Sequence, residues 1–383
     1  MHPNATMTRL LERLALLGVH DSDVVARGLP EARIQALRGG ALPTAAEFEL
    51  LCRAAAVDPA AMARNDDVLP TRVPARFRAA AAVGDRPSEA DARILALAAE
   101  LGRILGHLRR LQGRDLPLAS LRQVRAVART TEVWREGYNC GEAARQAIRP
   151  APGPIAELEN LVHDQGIHVA RVRFSSPAVD AACVWEAGAA PVILLNLGSP
   201  QVRYSLARRA ILAHEVCHLL HDAGDREDVT TRMSWGVDRV GNYRENIEVR
   251  ARGFAPAFLA PRDQVRVWEA TLPHRVQHDD VALVKALAEH WGLSFEGAAW
   301  HAKNANLLSP DRAENLARMH SKPRRAAEAF ERTPVFRPPA HLRQELPESP
   351  APMWAGLATR IVVESVEAGA ISAARARELL TWH

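Results

Sequence analysis

The chain lacks the long apolar runs that membrane-spanning segments need. No stretch of its 383 residues approaches the roughly 20 apolar residues of a transmembrane helix, and residues 1–6 contain no apolar core of the kind that a signal peptide carries. The cysteines have neither metal-knuckle nor disulfide spacing. These absences predict a cytoplasmic protein in a reducing compartment. The cysteines are Cys52, Cys140, Cys183 and Cys217.

The net charge is small, but the charged residues are unevenly distributed. The formal net charge is +4. Residues 68–150 carry fifteen arginines against eight acidic residues, whereas residues 1–66 carry seven arginines against eight. The basic stretch is therefore a candidate surface for nucleic acid or an acidic partner, although a solvated helix face is the commoner explanation of such a pattern.

The first 66 residues show a series of short helical patterns separated by glycine and proline. Residues 34–44 read I-x-x-L-R-G-G-x-x-P-T, and Thr44 with Glu47 makes the pattern of a capping box before an apolar helix. This order resembles the helix-turn-helix of the lambda-repressor-like (XRE) class. The resemblance implies a five-helix bundle whose recognition helix exposes Arg33, Gln35 and Arg38 to DNA.

A DNA-reading helix normally lies on a basic surface, because phosphate contacts supply much of the affinity. The acidic balance of residues 1–66 does not fit that expectation well. A bundle that contacts protein is the alternative.

An H-E-x-x-H motif lies inside the apolar run of residues 210–220. On a helix, His214 and His218 stand one turn apart on the same face. Two imidazoles so placed can bind one Zn²⁺, and Glu215 between them can act as the general base of a hydrolase. The alternative is a pair of buried histidines with no metal.

A catalytic zinc takes three protein ligands, so a third is needed. Glu248 lies one turn before Ala251, which begins an apolar helical pattern with Phe254 and Phe258. A carboxylate on that inward side needs a partner, and a metal would serve. Glu245 is the rival candidate on the same side.

Other residues are candidates for supporting roles around this motif. A group that stabilises a developing oxyanion is needed, and nothing in the sequence ranks the possible residues, which are His221, Tyr243 and Arg250. A thiolate of Cys183 or Cys217 could reach the zinc and block its open position. The alternative for both cysteines is a small buried hydrophobic side chain.

Residues 208–221 and 248–261 together resemble the two motifs of the ImmA/IrrE family of zinc peptidases. The first resembles that family's active-site helix, with Cys217 where the family usually has glycine. The second places Glu248 at the position of the family's third ligand. The resemblance implies a zincin-like minimal metallopeptidase domain and a small helix-turn-helix repressor as the protein substrate.

These patterns predict an α+β protein that is mostly α. Expected strands are residues 168–172 and 191–196, and residues 183–185 or 192–195 are expected to offer a sheet edge to substrate. Residues 222–243 are expected to be a polar loop. The expected regions are a helix-turn-helix bundle (1–66), a linker and basic helical region (67–150), the zinc peptidase domain (151–270), a C-terminal helical subdomain (271–335), and a Pro-rich linker with a terminal helix (336–383).

The sequence thus favours a zinc endopeptidase that cleaves a transcriptional repressor in a stress, phage-related or mobile-element response. The alternative is a DNA-binding transcriptional regulator whose metal domain senses a ligand or partner without proteolysis. The presence of Glu215 argues against the alternative, because a pure binding site has no need of a base.

Overall fold

The structure is a computed structural model that describes most of the chain. It is mostly helical with one small sheet, which confirms the predicted fold class. None of its described helices has the length and apolar character that a membrane crossing requires. The described residues are 3–64, 88–114, 132–149, 151–186, 188–222, 230–235, 246–320, 346 and 349–381.

The N-terminal bundle consists of short helices whose apolar sides meet. They are α1 (Pro3–Leu16), α2 (Asp21–Ala26), α3 (Glu31–Arg38), α4 (Ala45–Ala54) and α5 (Pro59–Arg64). The predicted capping box begins α4, where the Thr44 hydroxyl accepts from the Glu47 amide and the Glu47 carboxylate accepts from the Thr44 amide. Such reciprocal bonds satisfy amides that have no partner within the helix.

Two longer helices precede the sheet. Helix α6 (Glu89–Leu111) begins after Ser88, whose hydroxyl accepts from the Asp91 amide at 3.1 Å. Most of α6 is buried, Arg103 included. Among its other arginines, Arg110 is exposed and Arg93 and Arg109 are partly buried, so only part of the basic face is solvated. Helix α7 (Val133–Ile148) follows, and then the short α8 (Leu158–Asp164).

The sheet has four strands in the order β1-β3-β2-β4. Its strands are β1 (His168–Val172), β2 (Val179–Trp185), β3 (Val192–Asn196) and β4 (Thr230–Trp235). Strand β1 pairs with β3 in parallel, and β2 pairs with β3 and β4 in antiparallel register. Within the described residues, β2 and β3 are therefore both internal, and the expectation that either supplies the free edge was wrong.

Strand β4 also corrects the expectation of an uninterrupted loop over residues 222–243. Its sequence, T-T-R-M-S-W, is mostly polar and follows a run of acidic residues. Polar residues are common on edge strands that face water, so local pattern alone did not distinguish this strand from a loop.

Successive side chains of a strand point to opposite faces of the sheet, and here both faces are apolar. Ala181, Cys183 and Ile193 face one core, whereas Ala182 and Val184 face the other. The first core contains the H-E-x-x-H helix, and the second contains α6 and the N-terminal bundle. The sheet therefore separates the bundle from the candidate site.

The remaining helices complete these layers. They are α9 (Pro200–Arg203), α10 (Ser205–Cys217), α11 (Asn246–Leu259), α12 (Arg262–Glu269), α13 (His274–Gln277), α14 (Asp280–Trp291), α15 (Phe295–Asn304), α16 (Pro310–His320), α17 (Leu357–Glu367) and α18 (Ala373–Leu380). Helices α17 and α18 form a third apolar cluster with the second half of α6. The C-terminal helices thus pack against a helix from the first third of the chain.

Candidate metal centre

Helix α10 carries the H-E-x-x-H motif, and its geometry changes at the second histidine. The α-helical part ends at Cys217, and a π-helical turn covers His218–Asp222. Such turns within helices occur frequently at functional sites. Leu212 and Val216 are buried in the core on this helix, which fixes the direction in which the histidines project.

His214, His218 and Glu248 converge on one point. Their ligand atoms all lie within 4.8 Å of one another. The two Nε2 atoms of the histidines are 3.0 Å apart. One oxygen of Glu248 is 3.1 Å from His214 Nε2, and its other oxygen is 3.3 Å from His218 Nε2. Glu245 lies outside the described residues.

This donor set fits a zinc ion. A tetrahedral zinc with bonds of about 2.0–2.1 Å places its ligand atoms roughly 3.3–3.4 Å apart, close to the separations seen here. Two imidazole nitrogens and one carboxylate are also a ligand set that catalytic zinc sites use, with the fourth position left for water. His214, His218 and Glu248 would hold the ion.

The charge state of Glu248 suits a metal ligand. Burial by itself raises the pKa of this carboxyl, but hydrogen bonds and charge from His214 and His218 outweigh it and hold the pKa well below its usual range. Ligation requires the deprotonated form. Glu248 is therefore ready to bind a cation at neutral pH.

Helix α11, which carries Glu248, is held very close to α7 by glycines. A Cβ at Gly137 would lie 2.1 Å from the carbonyl oxygen of Arg250, and one at Gly141 would lie 2.5 Å from that of Phe254. On the opposite helix, a Cβ at Gly253 would lie 2.3 Å from the carbonyl oxygen of Trp134. Side chains larger than hydrogen would separate the helices, so α7 helps to place Glu248.

The role of α7 is a feature that sequence reasoning missed. The pattern G-x-x-x-G at residues 137–141 was the available signal, since glycines four apart share one helix face. Its partner helix lies more than one hundred residues downstream, which the local pattern does not reveal.

Glu215 is fully buried next to the histidines. Close to it, Asp180 lies where the pairing of β2 with β4 shifts register. Burial raises the pKa of Asp180, the hydrogen bond from Ser199 lowers it, and the charge of Glu215 raises it again. The Ser199 hydroxyl donates to Asp180 Oδ1 at 2.5 Å. Bulges of this kind are common next to active sites.

Residues 162–301 match the family model of the IrrE N-terminal-like domain, peptidase family M78. The matched segment contains the helix α10, the sheet and Glu248, and it supports the resemblance to the ImmA/IrrE family. It indicates a metallopeptidase of the IrrE/ImmA type. No curated protein matches the chain.

The other candidates within the IrrE-like region lie as follows. His221 Nδ1 is 3.8 Å from the Cys140 sulfur, and its ring meets Phe254 edge-on. Arg250 Nη1 is 3.6 Å from a carboxylate oxygen of Glu136 on α7. Both are thus engaged with α7 or α11 beside the metal centre. Tyr243 lies outside the described residues.

Cys183 and Cys217 are both buried, reduced and packed in the core that contains the metal helix. Neither belongs to the group of residues whose ligand atoms converge. Their surroundings are those of small buried hydrophobic side chains.

The candidate DNA-contacting residues of α3 are paired within the bundle. Arg33 donates from Nε and Nη2 to the two oxygens of Glu47, at 2.7 and 2.9 Å. Arg38 Nη2 lies 2.6 Å from Asp21 Oδ1, and Gln35 donates to the other oxygen of Asp21 at 3.4 Å. Each basic side chain that a phosphate backbone would need thus has an acidic partner beside it, and Arg38 stays half-exposed.

Proposed function

We propose that the chain is a cytoplasmic zinc-dependent endopeptidase that cleaves a protein substrate, a small helix-turn-helix transcriptional repressor. Cleavage would control gene expression in a stress, phage-related or mobile-element response. The convergence of His214, His218 and Glu248 beside the buried Glu215 carries this proposal. The match of residues 162–301 to a peptidase family supports it.

The chemistry needs a Lewis acid and a base close together. A zinc ion held by the three ligands would polarise the scissile carbonyl and would lower the pKa of a water towards neutrality. Glu215 accepts the proton of the attacking water and then donates it to the leaving amine. Glu215 directly follows His214 in the chain and is fully buried, and the H-E-x-x-H motif assigns the base to this position.

Among the described residues, an extended substrate has an unpaired strand edge available near this centre. Strand β4 is at one end of the described sheet, and Trp235 pairs with Val179, the neighbour of Asp180. The charges of Glu215 and His214 act on Asp180, so this end of β4 is close to the metal ligands. A peptide that adds as a strand to β4 gains main-chain hydrogen bonds.

The decisive experiment separates metal binding from catalysis. Glu215→Gln should keep about one zinc per chain while cleavage of a helix-turn-helix repressor encoded next to this chain falls by at least about 100-fold. Zinc is measured by plasma mass spectrometry and cleavage by gel and mass spectrometry of the fragments. Equal cleavage by the wild-type and Glu215→Gln proteins would remove the catalytic proposal.

DNA binding by the bundle is the test of the alternative function. Arg33→Ala with Arg38→Ala should weaken binding to an operator if α3 reads DNA, and fluorescence anisotropy at two salt concentrations measures this. The pairing of both arginines with Glu47 and Asp21 favours the other outcome, in which the wild type and the variant bind equally weakly.

A further inference from the structure

A second cavity lies on the far side of the sheet from the metal centre. Its volume is about 550 Å³, which is within the usual range of small-molecule sites. It is bounded by α5, α6, the turn between β2 and β3, and the C-terminal α18. Four separate parts of the chain therefore meet around it.

One wall of this cavity is a buried ionic network. Arg103 on α6 contacts Glu100 at 2.8 Å and Glu186 at 2.7 Å, and Asp58 contacts Arg375 of α18 at 2.5 Å. Glu100, Arg103 and Asp58 are 1%, 6% and 4% exposed. Buried ion pairs add little to stability compared with apolar packing. Their position on a cavity wall indicates a binding role.

At the β2–β3 turn, the network leaves one acceptor and several donors available. Both contacts from Arg103 go to Oε2 of Glu186, and among the described residues Oε1 has no partner. Arg110 donates from Nη1 to the carbonyl of Gly188, and its Nε and Nη2 have no partner in the described part of the chain. An open carboxylate oxygen and an open guanidinium edge thus lie at the same turn.

Apart from His107, the rest of the lining is apolar. Side chains of α6 and of the C-terminal helices form this part, and they are Ile104, Leu108, Leu111, Ile371 and Leu379. Among the charged lining residues, acids and arginines are equal in number, three of each. Most of these charges pair with one another. The atoms with no partner in the described part of the chain, Glu186 Oε1 and Arg110 Nε and Nη2, carry opposite charges, and a zwitterion with an apolar body complements them.

We propose that this cavity binds a ligand with a free ammonium group, a free carboxylate and an apolar side chain, that is, an apolar amino acid or a short apolar peptide. Glu186 Oε1 accepts from the ammonium, and Arg110 donates to the carboxylate. The apolar side chain lies against α6 and α18. This binding does not depend on the function proposed for the metal centre.

The ligand chemistry is tested by isothermal titration calorimetry of the full chain. L-leucine, L-phenylalanine and the dipeptide leucyl-leucine are the probes. Whichever binds most tightly shows whether the ligand of this cavity is a free amino acid or a peptide. N-acetylleucine lacks the ammonium and leucinamide lacks the carboxylate. If the free amino acid is the ligand, each of these two compounds should bind at least tenfold more weakly than leucine. The corresponding blocked dipeptides serve if the peptide binds more tightly.

Saturable binding that needs both charges supports the proposal. Equal binding of leucine and N-acetylleucine, or no saturable heat with any of the three zwitterions, overturns it. Glu215→Gln should bind the ligand as the wild type does, so a failed peptidase proposal and a failed cavity proposal give different results.

Two variants test whether the ligand binds in this cavity. Arg110→Gln should weaken binding at least tenfold. The matched control is Arg114→Gln, which should leave binding unchanged, because Arg114 is exposed, pairs with Glu364 and does not line the cavity. Ala61→Trp fills the space beside α5 and should also abolish binding. Circular dichroism checks that each variant is folded. Unchanged binding in both Arg110→Gln and Ala61→Trp overturns the assignment of the site.

Discussion

The metal centre and helix α3 are both regions where a sequence motif predicts a ligand, yet their side chains are arranged in opposite ways. At the metal centre, His214, His218 and Glu248 turn their donor atoms towards a common point. On α3, Arg33 and Arg38 turn towards Glu47 and Asp21 of their own bundle. Some of their donors are engaged within the protein.

The difference shows what a motif does and does not establish. Spacing determines which side chains share a face, but the residues opposite that face decide whether the donors remain available. Glu248 supplies a third donor to the histidines, whereas Glu47 and Asp21 supply counter-charges to the arginines. The first arrangement favours a cation, and the second disfavours a polyanion.

The largest effect is expected from removing a metal ligand. His218→Ala should lower zinc affinity by more than about 100-fold, because even residues that only support ligands contribute 10–100-fold. Zinc per chain after dialysis against a weak chelator measures this. His278→Ala is the control, an exposed histidine that stacks on His274. Retention of one zinc by His218→Ala would contradict the assignment.

A smaller loss is expected when the helix that carries Glu248 is displaced. Gly141→Ala forces a Cβ to within 2.5 Å of the Phe254 carbonyl, so α7 and α11 must separate. We expect a loss of about 1–3 kcal/mol in the free energy of unfolding and about tenfold weaker zinc binding.

Gly39→Ala is the matched control for this change. A Cβ there meets its nearest atoms at 3.4 and 3.5 Å, which is ordinary contact. The free energy of unfolding from urea titration and the zinc affinity should both be clearly lower for Gly141→Ala than for Gly39→Ala. Similar values for the two would show that α7 does not position Glu248.

A buried histidine without a metal partner provides a further contrast. His301 is fully buried next to the Tyr138 hydroxyl, 3.2 Å away, and burial lowers its pKa from 6.5 to about 4. The unfolded chain binds a proton below pH 6.5 that the folded one does not. The stability from this group is therefore present above pH 6.5 and is lost as the pH falls towards 4.

The expected loss from His301 over this window is on the order of 2–3 kcal/mol. Urea unfolding at pH 7 and pH 4.5 measures it, and His301→Gln should reduce the difference between the two values. The exposed His278→Gln should leave that difference unchanged. An equal pH dependence in His301→Gln and the wild type would contradict the role of this residue.

The smallest effect is expected in the bundle. The hydrogen bonds from Arg33 and from the Thr44 amide lower the pKa of Glu47 from 4.5 to about 2. Because the folded pKa is the lower one, this contribution is present above pH 4.5 and is lost between pH 4.5 and 2. Glu47→Gln should make the melting temperature less dependent on pH in that window only.

Sequence reasoning recovered those parts of the site that local spacing determines. The four-residue interval between His214 and His218 places both on one helix face, and the apolar pattern after Glu248 marks its inward side. Strand positions near residues 168–172 and 192–196 also follow from continuous apolar runs.

What sequence reasoning did not recover depends on contacts between distant residues. The order β1-β3-β2-β4 determines which strand has a free edge, and the apolar runs of β2 and β3 look alike from the sequence. The contact of Gly141 with Phe254 and the buried state of Arg103 likewise arise only when remote segments meet.

The double-sided character of the sheet has a consequence for the segment that matches a known family. Ala182, Val184 and Leu194 lie under α6 and the N-terminal bundle, which are outside residues 162–301. A fragment limited to the matched segment would present this apolar face to solvent, and exposed patches of that kind promote association. We expect such a fragment to aggregate in size-exclusion chromatography, while the full chain elutes as a defined species. The bundle and α6 would then cover an apolar face that the matched segment cannot bury by itself.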